Sequence, residues 1–163
     1  MAHTSSLAEV NVSSEIGIAT SGSLSVVPPQ GTDSTPESGP KDYFVERDGL
    51  TYAGGHVLAD LWGAEHLDDA ACIERAMRAV IDACGATLLH IHLHRFGANQ
   101  GISGVAVLAE SHISVHTWPE RGFAAFDIFM CGDCDPEKAL PVLQHYFKPT
   151  RVRINHYRRG VVE

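Results

Sequence analysis

The clearest alternation in the chain sets Ile113, Val115 and Thr117 against His112, Ser114, His116 and Trp118. Successive side chains of a strand point to opposite faces, so this pattern predicts a strand with one core face and one histidine-bearing face. Upstream, Ile73, Met77, Val80, Ile81 and Cys84 recur at helical spacing, with Asp68 or Asp69 as the cap and Gly85 as the stop. Residues 86–96 alternate and read as a strand, and Gly104 to Ala109 is a short apolar run. Gly55 to Leu61 reads as a first strand, Phe123 to Met130 as another and Arg151 to Tyr157 as the last. Asp135-Pro136-Glu137 opens a second helix, with Asp135 as N-cap and Pro136 at its first position. Pro141 then kinks that helix or displaces its start. About six strands and two helices predict an α+β fold, a two-layer sandwich of mainly antiparallel sheet with helices on one face. The other sheet face must be solvated or buried, and pairing with a second copy is one solution.

Residues 1–44 show no such period and are rich in Ser, Thr, Gly and Pro. We expect a disordered tail there, because too little apolar surface is available to offset the entropy of ordering. The domain is expected over residues 45–163, folding near Gly54, and 44% hydrophobic residues across the chain suffice for its core. A formal charge of -8 without a basic patch argues against a nucleic-acid partner and weakly favours a cationic substrate. No apolar run reaches the length of a membrane span, and no basic and apolar leader is visible. Cys72, Cys84, Cys131 and Cys134 are therefore read as thiols of a cytoplasmic protein.

Taken alone, Ser111 is an ordinary strand-end hydroxyl or a nucleophile awaiting a base. His112 and His116 lie close in sequence, yet residues 111 and 116 of an extended strand face opposite ways. They meet only where the chain turns or is cut. No Gly-x-Ser-x-Gly elbow is present to support a conventional serine hydrolase. His90, His92 and His94 share a strand face, and with His112, His116 and Glu120 they make either a metal cluster or a polar face. Cys131-Gly132-Asp133-Cys134 is a Cys-x-x-Cys before a helix, either a redox pair or a cap-region turn. Phe123, Phe126, Ile128 and Phe129 read as core or interface, and Arg151, Arg153, Arg158 and Arg159 as a solvated strand edge.

Five collinear segments shift this balance: Ser103-Gly104-Val105, Glu110-Ser111-His112, His116-Thr117-Trp118-Pro119-Glu120, Gly122-Phe123-Ala124-Ala125 and Cys131-Gly132-Asp133. In order and spacing they resemble the self-cleaving, pyruvoyl-dependent S-adenosylmethionine decarboxylases of prokaryotes. A weaker match runs from Gly54-Gly55-His56 through His94-Arg95-Phe96 to the last strand. The resemblance implies cleavage between Glu110 and Ser111, giving a β chain 1–110 and an α chain 111–163. It implies that the Ser111 hydroxyl attacks the Glu110 carbonyl to form an ester, which is then eliminated. Hydrolysis of the new end group leaves a covalent pyruvoyl cofactor at Ser111, which forms a Schiff base with the substrate amine. By the same resemblance His116 is the proton acceptor in processing, Ser103 guides that rearrangement and Cys131 is the proton donor in decarboxylation. Phe96, His116 and Glu120 bind the nucleoside of S-adenosylmethionine, and no metal is required. The product is the aminopropyl donor for spermidine synthesis, and the working unit is a homodimer of αβ pairs. Arginine or ornithine are alternative substrates of the same scaffold, and a cupin-like metal protein using the histidine strands is a remote one. The Gly97-Ala98-Asn99-Gln100 loop is one residue longer than the family pattern.

Overall fold

A computed structural model describes residues 43–98, 100–109 and 111–162. The expected tail lies almost wholly outside the described residues. Eight strands and two helices follow one another: β1 (Val45–Arg47), β2 (Leu50–Tyr52), β3 (Gly54–Trp62), α1 (Ala70–Cys84), β4 (Leu88–Arg95), β5 (Ile102–Leu108), β6 (His112–Trp118), β7 (Phe123–Met130), α2 (Ala139–Phe147) and β8 (Arg151–Arg159). Six strands form one sheet in the order β4-β5-β6-β7-β3-β8, and β1 and β2 form a separate hairpin. Every pairing is antiparallel. The α+β sandwich expected from the sequence is the observed architecture. The hairpin of β1 and β2 is an addition that short, weakly patterned strands did not announce.

One sheet face carries the core. Val57, Ala59 and Leu61 of β3, Ile113 and Val115 of β6, and Ala124, Phe126, Ile128 and Met130 of β7 are buried together with Ile73, Met77, Val80 and Ile81 of α1 and Leu143 and Phe147 of α2. Each large aliphatic or aromatic side chain removed from water there contributes roughly 1.5–3 kcal/mol, so this layer dominates the stability. The alternation then sends the intervening residues to the second face. In register these are His56, Phe129 and His112 in one row, Leu58, Asp127 and Ser114 in the next, and Asp60, Ala125 and His116 in a third. Of the four residues Phe123 to Phe129 singled out earlier, Phe126 and Ile128 are core, whereas Phe123 and Phe129 lie on the second face.

The helix ends follow the chain's local chemistry. The Asp69 carboxylate accepts a hydrogen bond from the Cys72 N–H at 3.0 Å. Gly85 adopts φ 76°, a left-handed conformation that a side chain resists, and closes α1 by donating to Asp82 and Ile81 carbonyls. Asp135 caps a single 3-10 turn, Pro136–Lys138, and α2 proper begins at Ala139. Pro141 thus sits in the first turn of α2, where its missing N–H has no partner to lose, so it displaced the helix start rather than kinking it. No helix among the described residues is long and apolar enough to cross a membrane.

The backbone N–H of Cys72 holds the Asp69 carboxyl below the ordinary carboxylate range. Asp69→Ala should cost about 1 kcal/mol in urea unfolding at neutral pH. Because the folded pKa is depressed, that contribution is present above the unfolded value and should vanish as pH falls through the folded one.

Candidate active site

The residues of interest fall at the two ends of β6. At its start, β5 and β6 are joined by a tight reversal in which the Leu108 N–H donates to the Ser111 carbonyl at 3.0 Å. Glu110, half of the expected cleavage bond, lies outside the described residues. The Ser111 hydroxyl oxygen accepts a hydrogen bond from the Cys131 backbone N–H at 3.2 Å, so the end of β7 brings the cysteine beside the serine across twenty residues of sequence. Gly54 of β3 leaves room there. A side-chain carbon on Gly54 would stand 3.0 Å from the Cys131 sulfur and 2.9 Å from the Phe129 ring.

At the far end of β6, Ser103 pairs in register with His116, and the Ser103 hydroxyl lies 2.7 Å from His116 Nδ1. This contact orients the imidazole. For Nε2 to act as a base, Nδ1 must carry the proton and donate it to the Ser103 oxygen. Phe96, Gln100, Trp118 and Glu120 surround the pair and line a cavity of about 630 Å³. Its walls combine aromatic faces with one carboxylate, the chemistry that a nucleoside needs. Trp118 was not singled out from the sequence. It packs on Phe123 at 5.3 Å between ring centres, Phe123 packs on Trp62 at 4.3 Å, and Arg151 lies over Trp62 at 4.9 Å. Trp62 lies on β3, far from β6 and β7 in sequence, so the full ladder exists only through cross-strand register.

Ser111 and His116 do not meet within one chain. Five strand residues at about 3.3 Å each separate them by about 16 Å, and the partner of His116 here is Ser103. The two groups therefore stand as half-sites: Ser111 with Cys131, and Ser103 with His116, Phe96 and Glu120.

The remaining histidines divide. His90 and His92 are exposed on the edge strand β4, and no group of three or more His, Cys, Asp or Glu side chains among the described residues is arranged to hold a metal. His94 packs edge-on to Phe96 at 4.9 Å and so joins the second half-site. His56, in the row of Ser111's neighbour His112, packs edge-on against Phe129 at 5.8 Å and lies 6.4 Å from the His112 ring. Arg159 Nη1 lies 3.3 Å from His56 Nδ1. A guanidinium only donates, so Nδ1 accepts and the ring proton sits on Nε2. That Nε2 is buried and has no hydrogen-bond partner among the described residues, with the Asp127 carboxylate 3.8 Å away. The Cys134 thiol donates to the Gly85 carbonyl at 3.4 Å, which gives it a place at the end of α1. None of the four cysteines is in a disulfide, and burial pushes the Cys84 thiol up to about 12.

The chain is similar to proteins of one known family. The family model for S-adenosylmethionine decarboxylase matches residues 55–160. An S-adenosylmethionine decarboxylase proenzyme of Methanococcus vannielii is 46% identical over 113 residues, covering 68% of this chain and 92% of the relative. One from Thermomicrobium roseum is 42% identical over 110 residues, covering 67% and 95%. The crystal structure of the adenosylmethionine decarboxylase from Aquifex aeolicus superposes with a TM-score of 0.62 at 33% identity, covering 69% of this chain and 94% of that one.

Burial lowers the His56 pKa below the ordinary 6.5, with the Asp127 carboxylate partly opposing it. A nuclear magnetic resonance titration should find His56 neutral at pH 7, with its midpoint below the ordinary 6.5. As pH falls through about 6.5 the unfolded chain takes up a proton that folded His56 refuses, so this residue should make the fold less stable on acidification.

Proposed function

This chain belongs to the S-adenosylmethionine decarboxylase family, and we propose that it cleaves itself at Glu110–Ser111 and then decarboxylates S-adenosylmethionine. The observation that carries this reading is the division of the family-pattern residues into two compact half-sites at opposite ends of β6. One holds a hydroxyl nucleophile beside a thiol, and the other holds a hydroxyl-supported imidazole beside an aromatic and acidic cavity.

In processing, the Ser111 oxygen adds to the Glu110 carbonyl carbon, the C–N bond breaks and an ester forms. A base then removes the Ser111 α-proton, the ester C–O bond breaks, and Glu110 leaves as a carboxylate. Water hydrolyses the remaining end group with release of ammonia to give the pyruvoyl group. His116, oriented through Nδ1 by Ser103, is our base. The Ser111 surroundings suit the group that results: the turn is tight, the Cys131 N–H faces the serine oxygen, and Gly54 keeps the adjoining space open. A pyruvoyl group formed at Ser111 would supply a ketone for binding the substrate amine and an electron sink for loss of CO₂. Cys131 supplies the proton to the substrate carbon that lost CO₂. Phe96 and His116 stack on the adenine, and Glu120 accepts hydrogen bonds from the ribose hydroxyls. The nucleoside cavity favours S-adenosylmethionine over arginine or ornithine.

A base about 16 Å from its target along one strand needs a second copy, so we assign the working unit to a homodimer in which the half-sites of two αβ pairs face each other. The exposed apolar residues of the second face, Val105 at 38%, Val107 at 43% and Trp118 at 40%, support burial of that face. We place the enzyme in the cytoplasm and assign the family's product role, donation of the aminopropyl group for spermidine.

Intact mass spectrometry tests cleavage directly. Wild-type protein should separate into two fragments divided at Glu110/Ser111, and Ser111→Ala should remain one chain with no decarboxylase activity. An active Ser111→Ala protein would refute the pyruvoyl reading. Cys131→Ala should still cleave but turn over at least tenfold more slowly, in the range set by loss of a general acid. Coexpressed Ser111→Ala and His116→Ala chains, each uncut alone, should yield cleavage of the His116→Ala chain only. No cleavage in the mixed dimer would remove the shared site.

A further inference from the structure

The β1–β2 hairpin lies before Gly55, the first residue matched by the family model, yet it is fastened to the domain at several points. Its end is tied by main-chain bonds, from the Ala53 N–H to the Arg159 carbonyl at 2.8 Å and from the Val162 N–H to the Thr51 carbonyl at 2.8 Å. Its tip is tied by Arg158, whose Nη2 is 2.6 Å from the Asp48 carboxylate and whose guanidinium lies 5.5 Å from the centre of the Tyr52 ring. The segment entering β1 makes the contact of interest. The Tyr43 carbonyl accepts a hydrogen bond from the Gly132 N–H at 3.1 Å.

Gly132 follows Cys131. It adopts φ 59°, so the chain reverses there in a conformation that suits glycine, and a side chain on it would reach the Tyr43 ring at 3.6 Å. Two successive peptide N–H groups of the Cys131 turn are thus each held by a different segment. Ser111 takes the N–H of Cys131 at 3.2 Å, and Tyr43 takes the N–H of Gly132. The hairpin also roofs a cavity of about 700 Å³ whose floor includes His56, Met130 and Cys134, the residues around Cys131.

We infer that the segment Tyr43–Tyr52 is a clasp that holds the Cys131 turn, with Tyr43 a positioning residue for the thiol and the Asp48–Arg158 pair the fastening that keeps the clasp shut. The inference rests on the reading of Cys131 as the proton donor for its consequence in turnover, but the clasp itself is read separately. A turn with one of its two N–H partners loosened samples more conformations. The thiol then spends less time aimed at the carbon it must protonate and is more open to solvent.

The experiment compares the full chain with Arg158→Ala, Asp48→Ala and Arg158→Lys. Alkylation of each cysteine by iodoacetamide is followed by peptide mass spectrometry, and kcat and KM are measured for S-adenosylmethionine. Both alanine variants should speed Cys131 alkylation about fivefold, the scale set by one exposed charge pair, while buried Cys72 and Cys84 stay slow. The kcat should fall with KM unchanged, because Cys131 acts after the substrate is bound. Arg158→Lys, which keeps the charge facing Asp48, should restore most of both effects. Unchanged Cys131 alkylation in both alanine variants would overturn the clasp, as would equal acceleration at Cys72 and Cys84, the mark of general loosening. Failure of the acid role is distinguishable: it would appear as wild-type turnover in Cys131→Ala and would leave the alkylation result intact.

Discussion

A buried hydroxyl in the middle of the His116–Trp118 segment holds the site end of the sheet together. Thr117 is 5% exposed, donates to the Leu67 carbonyl at 2.7 Å and accepts the Ile102 N–H at 2.8 Å. It faces the helix-covered side, so its two neighbours, His116 and Trp118, must face the other. Ile102 immediately precedes Ser103. One side chain thereby ties the start of β5, the end of β6 and the loop before α1, and the 2.7 Å approach of Ser103 to His116 depends on that registration. A buried N–H left without its acceptor costs about 1–3 kcal/mol, so the arrangement has little freedom to slip.

The same alternation explains why chemistry gathers on the second face. Helices α1 and α2 cover one layer only, and the residues released to the other layer include histidines, two aspartates, serines and aromatics rather than a solvated lysine and glutamate surface. Some polar groups of that face are paired within the chain, Ser103 with His116 and Ser114 with Asp127, whereas the buried Nε2–H of His56 has no hydrogen-bond partner among the described residues. Half-sites at opposite ends of a strand fit the homodimer proposed above, in which a two-fold axis would bring the start of one β6 near the end of the other.

Much of the fold was legible because its signals are local. The Asp69 cap, the Gly85 stop, the seven-residue alternation of β6 and the limits of β7 each depend on a few neighbouring residues. Pro141 was ambiguous, since a proline three positions inside a helix and one in its first turn look alike until the start of the helix is known. The β1–β2 hairpin was missed because Val45–Arg47 and Leu50–Tyr52 are three residues long and mostly exposed, with too little pattern to read.

The site divides in the same way. From sequence came the residue types and their collinear order: a serine after an acidic residue, a histidine five positions on, a cysteine twenty positions on, and the family to which that order belongs. Only the tertiary structure decided who touches whom. It set Ser111 against Cys131, gave His116 to Ser103, built Trp118, Phe123 and Trp62 into a ladder and brought Tyr43 to Gly132. The physical reason is that strand periodicity assigns each residue a face but says nothing of which strand lies beside it. Cross-strand neighbours follow from sheet order and register, and those are settled by how the whole apolar layer packs beneath the two helices.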